Sequence, residues 1–411
     1  MSLSLVGRDR FLLGRSEEAD CVISGSEASR EHAELRRDGP LWTIHDLGSR
    51  NGIFVNGERV ERAPIGPGTV LRLGEAVGLV LRQSQGRTEA PSLREVTKGF
   101  FAGVALQRTL DGAERPARSE LPIIIEGETG AGKERLARWI HAISGRSGRF
   151  VPINCAALPE ALAEAQLFGY RKGAFTDAKT SSPGYLREAD QGTLLLDEIL
   201  DLPLALQPKL LRALEEGEVA PLGEATPVKV SVRVIAATQA SLHDAVAARA
   251  FRGDLLARLE GFVVRLSPLR ERIEDVPTLF RRFVFERSGG RPPAMAPRLI
   301  ESLCMYDWPF NVRELERLAH RLVVVHGHEP ALLRSHLPSH MTAPRARSPL
   351  EPELSSVGDE YSRFIAALKA HGGVVARAAA AAGLNRTRAY RLMAEHDLDP
   401  SSLRDRARED A

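Results

Sequence analysis

Ile123-Ile124-Ile125-Glu126-Gly127-Glu128-Thr129-Gly130-Ala131-Gly132-Lys133-Glu134 is the stretch that decides the fold. A run of β-branched residues predicts a buried strand. It passes directly into G-x-x-x-x-G-K, and then into Lys133-Glu134-Arg135-Leu136-Ala137-Arg138-Trp139-Ile140, which predicts a helix. Strand, glycine-rich loop and helix is the context in which this spacing acts as a P-loop. Gly127, Glu128, Thr129, Gly130, Ala131 and Gly132 would present backbone N–H groups to a phosphate, with a helix N-terminus behind them. Lys133 would reach the β- and γ-phosphates of ATP. The generic motif closes with Ser or Thr, a Mg²⁺ ligand, where this chain has Glu134.

Working outward, residues 121–266 alternate strand and helix, which predicts a parallel sheet covered on both faces. Phe150-Val151-Pro152-Ile153-Asn154-Cys155 is a strand, followed by a helix over 159–167. Gly192-Thr193-Leu194-Leu195-Leu196-Asp197-Glu198 is a buried strand ending in two carboxylates. Downstream of a P-loop, the first carboxylate suits Mg²⁺ and the second suits the attacking water. A helix over 204–214, a strand over 232–238, a long helix through Leu259 and a strand over 262–266 complete the pattern. Two insertions interrupt it, one of which carries an unprotected Phe175 at its tip; exposed loop aromatics usually contact something.

Composition bounds the rest. The 411 residues allow two to four domains, and 43% hydrophobic with 27% charged content is that of an ordinary soluble globular protein. The formal net charge of +2 names no partner, so a nucleic-acid surface has to be local. Cys21, Cys155 and Cys304 form no C-x-x-C, which argues against a zinc site or disulfide framework and fits a cytoplasmic protein. No apolar run approaches a membrane span, and residues 1–8 lack a signal-peptide core.

Residues 1–85 read as a β-sandwich, with short strand-like runs separated by Gly, Asp, Asn and Pro; Asn56-Gly57 predicts a type I′ hairpin turn. A polar linker and leading helix fill residues 86–120. The C-terminal part reads as helices: 269–338 as a lid, 339–356 as a Pro-containing linker, 357–400 as a small bundle and 401–411 as a tail. In the bundle, a helix, the turn Gly383-Leu384-Asn385 and a basic helix form a helix-turn-helix pattern. Arg386, Thr387, Arg388, Tyr390 and Arg391 are the candidate double-stranded DNA contacts.

Three family resemblances follow from these residues. The loops Gly14-Arg15-Ser16, Ser29-Arg30-Glu31-His32 and Ser49-Arg50-Asn51-Gly52 resemble those of the forkhead-associated (FHA) domain, which reads phosphothreonine peptides. The resemblance implies that Arg15, Ser29, Arg50 and Asn51 line a phosphopeptide site and that His32 braces the loops. Arginines suit a phosphate through charge-assisted hydrogen bonds. A sandwich kept only for self-association would need no phospholigand.

The segments Gly127–Glu134, 154–158, 167–169, 173–178, 193–199, 251–259, 269–272 and 311–315 resemble the central AAA+ domain of bacterial sigma-54-dependent transcriptional activators, and the bundle resembles their Fis-type DNA-binding domain. In that family Glu follows the P-loop lysine. The resemblance implies an ATPase with Asp197 on Mg²⁺ and Glu198 as catalytic carboxylate. Asn154 would be the switch residue pairing with Glu198, and Arg252 and Arg258 the arginine fingers reaching a neighbouring subunit. Gln239 stands at the sensor I place and Arg313 at sensor II. Phe175 and Thr176 would contact sigma-54 RNA polymerase. Three departures stand out: Asp177 replaces a glycine of G-A-F-T-G-A, Gln239 replaces Asn, and Phe310 replaces a glycine before sensor II. Further implications are a homo-oligomeric, hexameric ring and input from a phosphothreonine protein or Ser/Thr kinase. The departures also leave open a DNA-binding regulator or scaffold with a degenerate ATPase.

Overall fold

The computed structural model describes residues 3–342 apart from 40, 82–93, 176–177 and 225, together with six residues between 364 and 379. Two compact units divide the chain, Met1–Thr342 and Ala343–Ala411.

The first nine strands are β1 (Arg10–Gly14), β2 (Cys21–Val22), β3 (Ala33–Asp38), β4 (Leu41–Asp46), β5 (Ile53–Val55), β6 (Glu58–Val60), β7 (Arg62–Ile65), β8 (Val70–Leu73) and β9 (Ala76–Leu79). They form a five-stranded sheet, β2-β1-β3-β4-β7, and a four-stranded sheet, β6-β5-β8-β9. Inward-facing Phe11, Leu13, Leu35, Ile44, Ile53, Leu71 and Leu73 make a shared core, the expected consequence of period-two alternation. Asn56 and Gly57 turn β5 into β6 with φ of 50° and 86°, the doubly positive pair that a type I′ turn requires.

The connection to the ATPase-like region is more ordered than a linker and helix. Arg94–Thr97 (β10) and Phe100–Ala102 (β11) form a hairpin before α1 (Val104–Ala117). Period-two alternation is too short there to be visible in the sequence.

The central sheet contains β12 (Ile123–Glu126), β13 (Phe150–Asn154), β14 (Thr193–Asp197), β17 (Arg233–Thr238) and β18 (Phe262–Arg265). The order is β13-β14-β17-β12-β18, and every pair is parallel. Both faces are covered, which is why these strands are continuously apolar. Ile124, Leu194, Leu196, Val234 and Ala236 pack on one face, and Ile123, Ile125, Leu195, Ile235 and Ala237 on the other. Each Ile, Leu or Val side chain among them contributes about 1.5–3 kcal/mol by leaving water. The order sets β12 between β17 and β18, with β14 on the far side of β17, so the loop after β12 and the acidic end of β14 both emerge at the C-terminal end of the parallel strands.

Helices α2 (Lys133–Ile143), α3 (Glu160–Phe168), α4 (Gly184–Glu188), α5 (Gln207–Glu216), α6 (Leu242–Ala247) and α7 (Gly253–Leu259) accompany the sheet, and the hairpin β15 (Glu218–Val219) and β16 (Val228–Lys229) projects after α5. Two sequence expectations are corrected here. The helix expected over 204–214 starts at Gln207, with Pro208 in its first turn and Leu204 left 51% exposed. The long helix through Leu259 is two helices, broken where Arg249 adopts φ 58°.

The lid comprises α8 (Asp275–Arg287), β19 (Ala294–Met295), α9 (Pro297–Met305), α10 (Asn311–His326), β20 (Ala331–Leu332) and α11 (Ser339–Thr342). Leu315, Leu318, Ala319 and Leu322 form the buried stripe of α10 at helical spacing. Fully buried Trp308 anchors the turn before α10, its indole N–H donating to the Leu303 carbonyl at 3.0 Å. The sandwich rests on this lid. Arg72 of β8 donates to Glu301 of α9 at 2.8 Å, and both side chains are under 10% exposed. Gly57 stands so close that a Cβ there would come within 3.1 Å of the Met305 methyl.

In the unit 343–411, the described residues Phe364, Leu368, Val375, Ala378 and Ala379 are helical and form one buried cluster. The DNA-contact candidates Arg386, Thr387, Arg388, Tyr390 and Arg391 lie outside the described residues.

Candidate functional site

The loop between β12 and α2 is shaped by its glycines. Gly130 has φ 77° and Gly132 φ 113°, both in the region glycine favours. A Cβ at Gly130 would stand 2.2 Å from the Phe310 carbonyl oxygen, whereas one at Gly132 would meet nothing within 4 Å. The loop is therefore packed against the lid on one side and open on the other. Behind the open side begins α2, an eleven-residue helix with no side-chain cap on its first amides. Unclaimed amides and the positive end of a helix dipole are what a phosphate needs.

Lys133 is buried, 6% exposed, and its ammonium donates to the Gly127 carbonyl at 3.0 Å and lies 3.4 Å from Glu198 Oε1. Asp197 ends β14, opposite Asn154 in the register with β13. Glu198 follows with φ 50° and ψ 53°, its amide donating to Asp197 Oδ1 at 3.1 Å. A left-handed glutamate costs roughly 1–3 kcal/mol, a strain that folds tend to retain where geometry matters for function. The local field is strongly negative. Burial, and then the charges of Asp197, Asp201 and Glu198, push the neighbouring Cys155 thiol up to about 12. The same charges suit a divalent cation, and hard carboxylate oxygens are the ligands Mg²⁺ takes. Donor set and open cradle together fit Mg²⁺-bound nucleoside triphosphate.

The lid fastens onto the loop from the other side. Asn311, fully buried and at φ 53°, donates from Nδ2 to Glu128 Oε2 at 3.2 Å and to the Thr129 carbonyl at 3.1 Å. Its Oδ1 accepts the Leu269 amide at 2.7 Å. Arg270 grips Glu128 with two bonds of 2.9 and 2.6 Å, which holds that carboxyl below its ordinary range. Buried Arg272 donates to the Ala131 carbonyl at 3.0 Å. Asn311, Arg270 and Arg272 were visible in the sequence only as motif letters without roles. Their roles depend on P-loop carbonyls and the Glu128 carboxylate, about 140–180 residues away, which no local pattern encodes.

The remaining ATPase candidates are distributed as follows. Gln239 accepts from the Thr129 hydroxyl at 2.8 Å, so its extra methylene closes onto the P-loop. Arg313 occupies the first turn of α10, exposed, with its amide 3.4 Å from the Gly130 carbonyl. Phe310 has φ −111° and its ring is 59% exposed, so the missing glycine imposes no strain. Asn154 does not reach Glu198: its Oδ1 accepts the Ala156 amide at 2.9 Å, and Glu198 pairs with Lys133 instead. Glu134 turns away along α2 to Arg138, at 2.7 Å. Arg252 forks onto Asp254, and Arg258 donates to the Leu214 carbonyl at 2.8 Å; both are exposed and bond no P-loop residue of their own chain among the described residues. Phe175 is not unprotected at the tip: it is half-buried against Tyr170, with ring centroids 5.0 Å apart. Thr176 and Asp177 lie outside the described residues.

The sandwich loops form a second polar constellation. His32 is fully buried; its Nδ1 accepts the Ser29 amide at 3.0 Å, which leaves Nε2–H to donate to the Gly52 carbonyl at 3.2 Å. One ring thus ties two loops together. The Ser29 hydroxyl accepts the Arg50 amide at 3.1 Å, and the Arg15 amide donates to the Ser29 carbonyl at 2.8 Å. Asn51 Nδ2 donates to the Glu27 carbonyl at 2.7 Å, leaving its own carbonyl free in direction for a peptide amide. Arg15, Arg50 and Asn51 are exposed on this rim.

A third cluster, His326, Glu329 and His336, has ligand atoms within 4.8 Å of one another. The two imidazoles are stacked, 3.9 Å apart and 7° from parallel, so their in-plane lone pairs do not converge on one point. His336 Nδ1 already accepts the Leu333 amide at 3.2 Å, which makes the triad a hydrogen-bonded knot in the lid.

Comparison with known proteins matches three family models: the sigma-54 interaction domain over residues 101–265, the FHA domain over 11–74, and an AAA+ ATPase lid domain over 270–353. The formate hydrogenlyase transcriptional activator of Salmonella typhimurium strain SL1344 is 42% identical over 307 residues, 73% of this chain and 44% of that protein. The sigma54-dependent transcriptional activator SfnR of Pseudomonas putida is 44% identical over 244 residues, 58% of this chain and 66% of its own. The chain thus spans less than half of the first of these relatives. Among solved structures, NtrX from Brucella abortus superposes with a TM-score of 0.55 at 31% identity, covering 72% of this chain and 69% of that one. The same protein in complex with ATP gives 0.53 at 32% identity, over 71% and 67%. Among the described residues no helix is long and apolar enough to cross a membrane.

Proposed function

We propose, for a chain that belongs to the sigma-54-dependent transcriptional activators and carries an FHA domain, that ATP hydrolysis in a ring of subunits remodels sigma-54 RNA polymerase, under control of a phosphothreonine protein. The observation that carries the reading is Lys133, buried at the open cradle between the Gly127 carbonyl and Glu198, with Asp197 alongside. Loop amides and Lys133 would hold the phosphates, Asp197 would take Mg²⁺, and Glu198 would orient water once nucleotide draws Lys133 away from it. Arg252, just before α7, and Arg258, within it, are exposed and would serve a neighbouring copy. Arginine fingers supplied in trans are worth about 10³–10⁵ in rate. Phe175 and Thr176 would engage sigma-54, and Arg386, Thr387, Arg388, Tyr390 and Arg391 would hold upstream DNA. Arg15, Ser29, Arg50 and Asn51 would grip the phosphopeptide. Gln239 bonds the P-loop and Phe310 is unstrained, so two of the three departures from the family pattern give no support to a degenerate ATPase.

Open-complex formation with sigma-54 RNA polymerase and ATP, measured beside ATP turnover, tests this. Wild type should do both. Glu198→Gln should bind ATP without hydrolysing it, Thr176→Ala should hydrolyse without opening, and mixing Arg258→Ala with Glu198→Gln chains should restore some turnover through shared sites. ATP turnover with no promoter opening in wild type would reject the activator reading in favour of a regulator or scaffold.

A further inference from the structure

The sandwich does more than sit on the lid. Between them lies a cleft of about 530 Å³, within the range of roughly 300–1,000 Å³ typical of ligand sites. Its sandwich wall includes Asn51, the residue positioned to hold a peptide backbone, and Phe54, over whose ring the Arg72 guanidinium lies at 3.6 Å. Its lid wall includes Pro297 and Arg298, at the start of α9, and Arg334 after β20. Three arginines line the cleft against one glutamate, Glu27. Glu301 neutralises Arg72, but among the described residues Arg298 has no ion pair and the Arg334 guanidinium bonds only the Thr342 carbonyl, at 3.0 Å. Both are exposed. A peptide held at Asn51 has this cleft as its continuation.

We propose that the phosphopeptide site is composite: the FHA sandwich grips the phosphothreonine, and the lid supplies Arg298 and Arg334, which select acidic residues beside it. The proposal rests on the phosphothreonine reading above and adds a specificity element from a different part of the chain. Guanidinium forks match carboxylates in geometry as well as charge. The buried Arg72–Glu301 pair fixes the two walls relative to each other, since removing either partner would strand the other charge.

The test measures binding of the full chain to four peptides: one sequence with threonine or phosphothreonine, each flanked by acidic or by neutral residues. Wild type should bind the acidic phosphopeptide at least about fivefold more tightly than the neutral one, the size expected of two partly exposed ion pairs. Arg298→Gln with Arg334→Gln should erase that preference and keep the dependence on phosphate. Arg37→Gln, at the end of β3 remote from His32, removes the same kind of charge and should leave the preference intact. Equal binding of both phosphopeptides by wild type, an undiminished preference in the double variant, or an equal loss in Arg37→Gln would each overturn the composite site while the FHA reading stands. Failure to distinguish phosphothreonine from threonine in any background would instead sink the phosphothreonine reading, and this proposal with it.

Discussion

The P-loop and the FHA rim are both built for phosphate, and they are built in opposite ways. The P-loop offers backbone amides and one buried ammonium; Gly127 packs against Leu266 and Gly130 against the Phe310 carbonyl of the lid, while Gly132 faces the opening. The rim offers side chains from three separate loops, exposed Arg15, Arg50 and Asn51 with half-buried Ser29, and its order comes from one buried imidazole, His32. A backbone grip tolerates almost no added atoms but needs only a contiguous motif. A side-chain grip tolerates substitution of any one group, provided the scaffold beneath it holds. The difference predicts where each region is fragile.

The largest effect should follow from Lys133→Ala, which should abolish ATP binding in a nucleotide titration because it removes the ammonium held between the Gly127 carbonyl and Glu198 at the cradle. Gly130→Ala should come close to it without touching a phosphate ligand. The new Cβ would meet a carbonyl at 2.2 Å, and the residue would be held at φ 77°, so the lid must shift. The expected readout is loss of ATPase with secondary structure retained; full activity would mean that the lid does not close on the loop as seen here.

On the rim, His32→Ala should destabilise rather than merely weaken binding. It leaves the Ser29 amide and the Gly52 carbonyl without their partner, at about 1–3 kcal/mol for each buried group. Thermal unfolding should show the loss, and an unchanged midpoint would deny His32 its bracing role. Arg15→Ala should do the reverse: the unfolding midpoint stays, and phosphothreonine-peptide affinity falls about 10- to 100-fold, the worth of one charge-assisted hydrogen bond. Binding lost together with fold would erase the contrast between scaffold and grip.

The smallest effect concerns pH. Arg270 holds the Glu128 carboxyl below its ordinary 4.5, so the folded state favours the charged form. The resulting stability is present above that value and is lost as pH falls through the depressed folded value. The midpoint difference between wild type and Glu128→Gln should therefore shrink below about pH 4. The pair is partly exposed, so solvent screening keeps the change small. A difference that grows with acid would contradict the sign.

What the sequence by itself determined is what short-range backbone chemistry encodes. The P-loop is legible because strand, glycine turn and helix N-terminus are consecutive. The Asp197-Glu198 strand end and the Asn56-Gly57 turn are legible for the same reason. The FHA loops, whose residues are dispersed, were legible through their resemblance to a known family rather than through backbone chemistry. The hairpin at Arg94–Ala102 was too short to show a period, and the helix expected to run through Gly253 to Leu259 was broken at Arg249. The tertiary structure alone decided which distant groups meet. It gave Asn154 to the Ala156 amide rather than to Glu198, laid Phe175 against Tyr170, set Asn311 on the P-loop backbone, and joined Arg72 to Glu301 across 229 residues. A side chain's partner depends on how whole layers pack. That packing is fixed by the summed burial of many apolar residues, and no single stretch of sequence carries the sum.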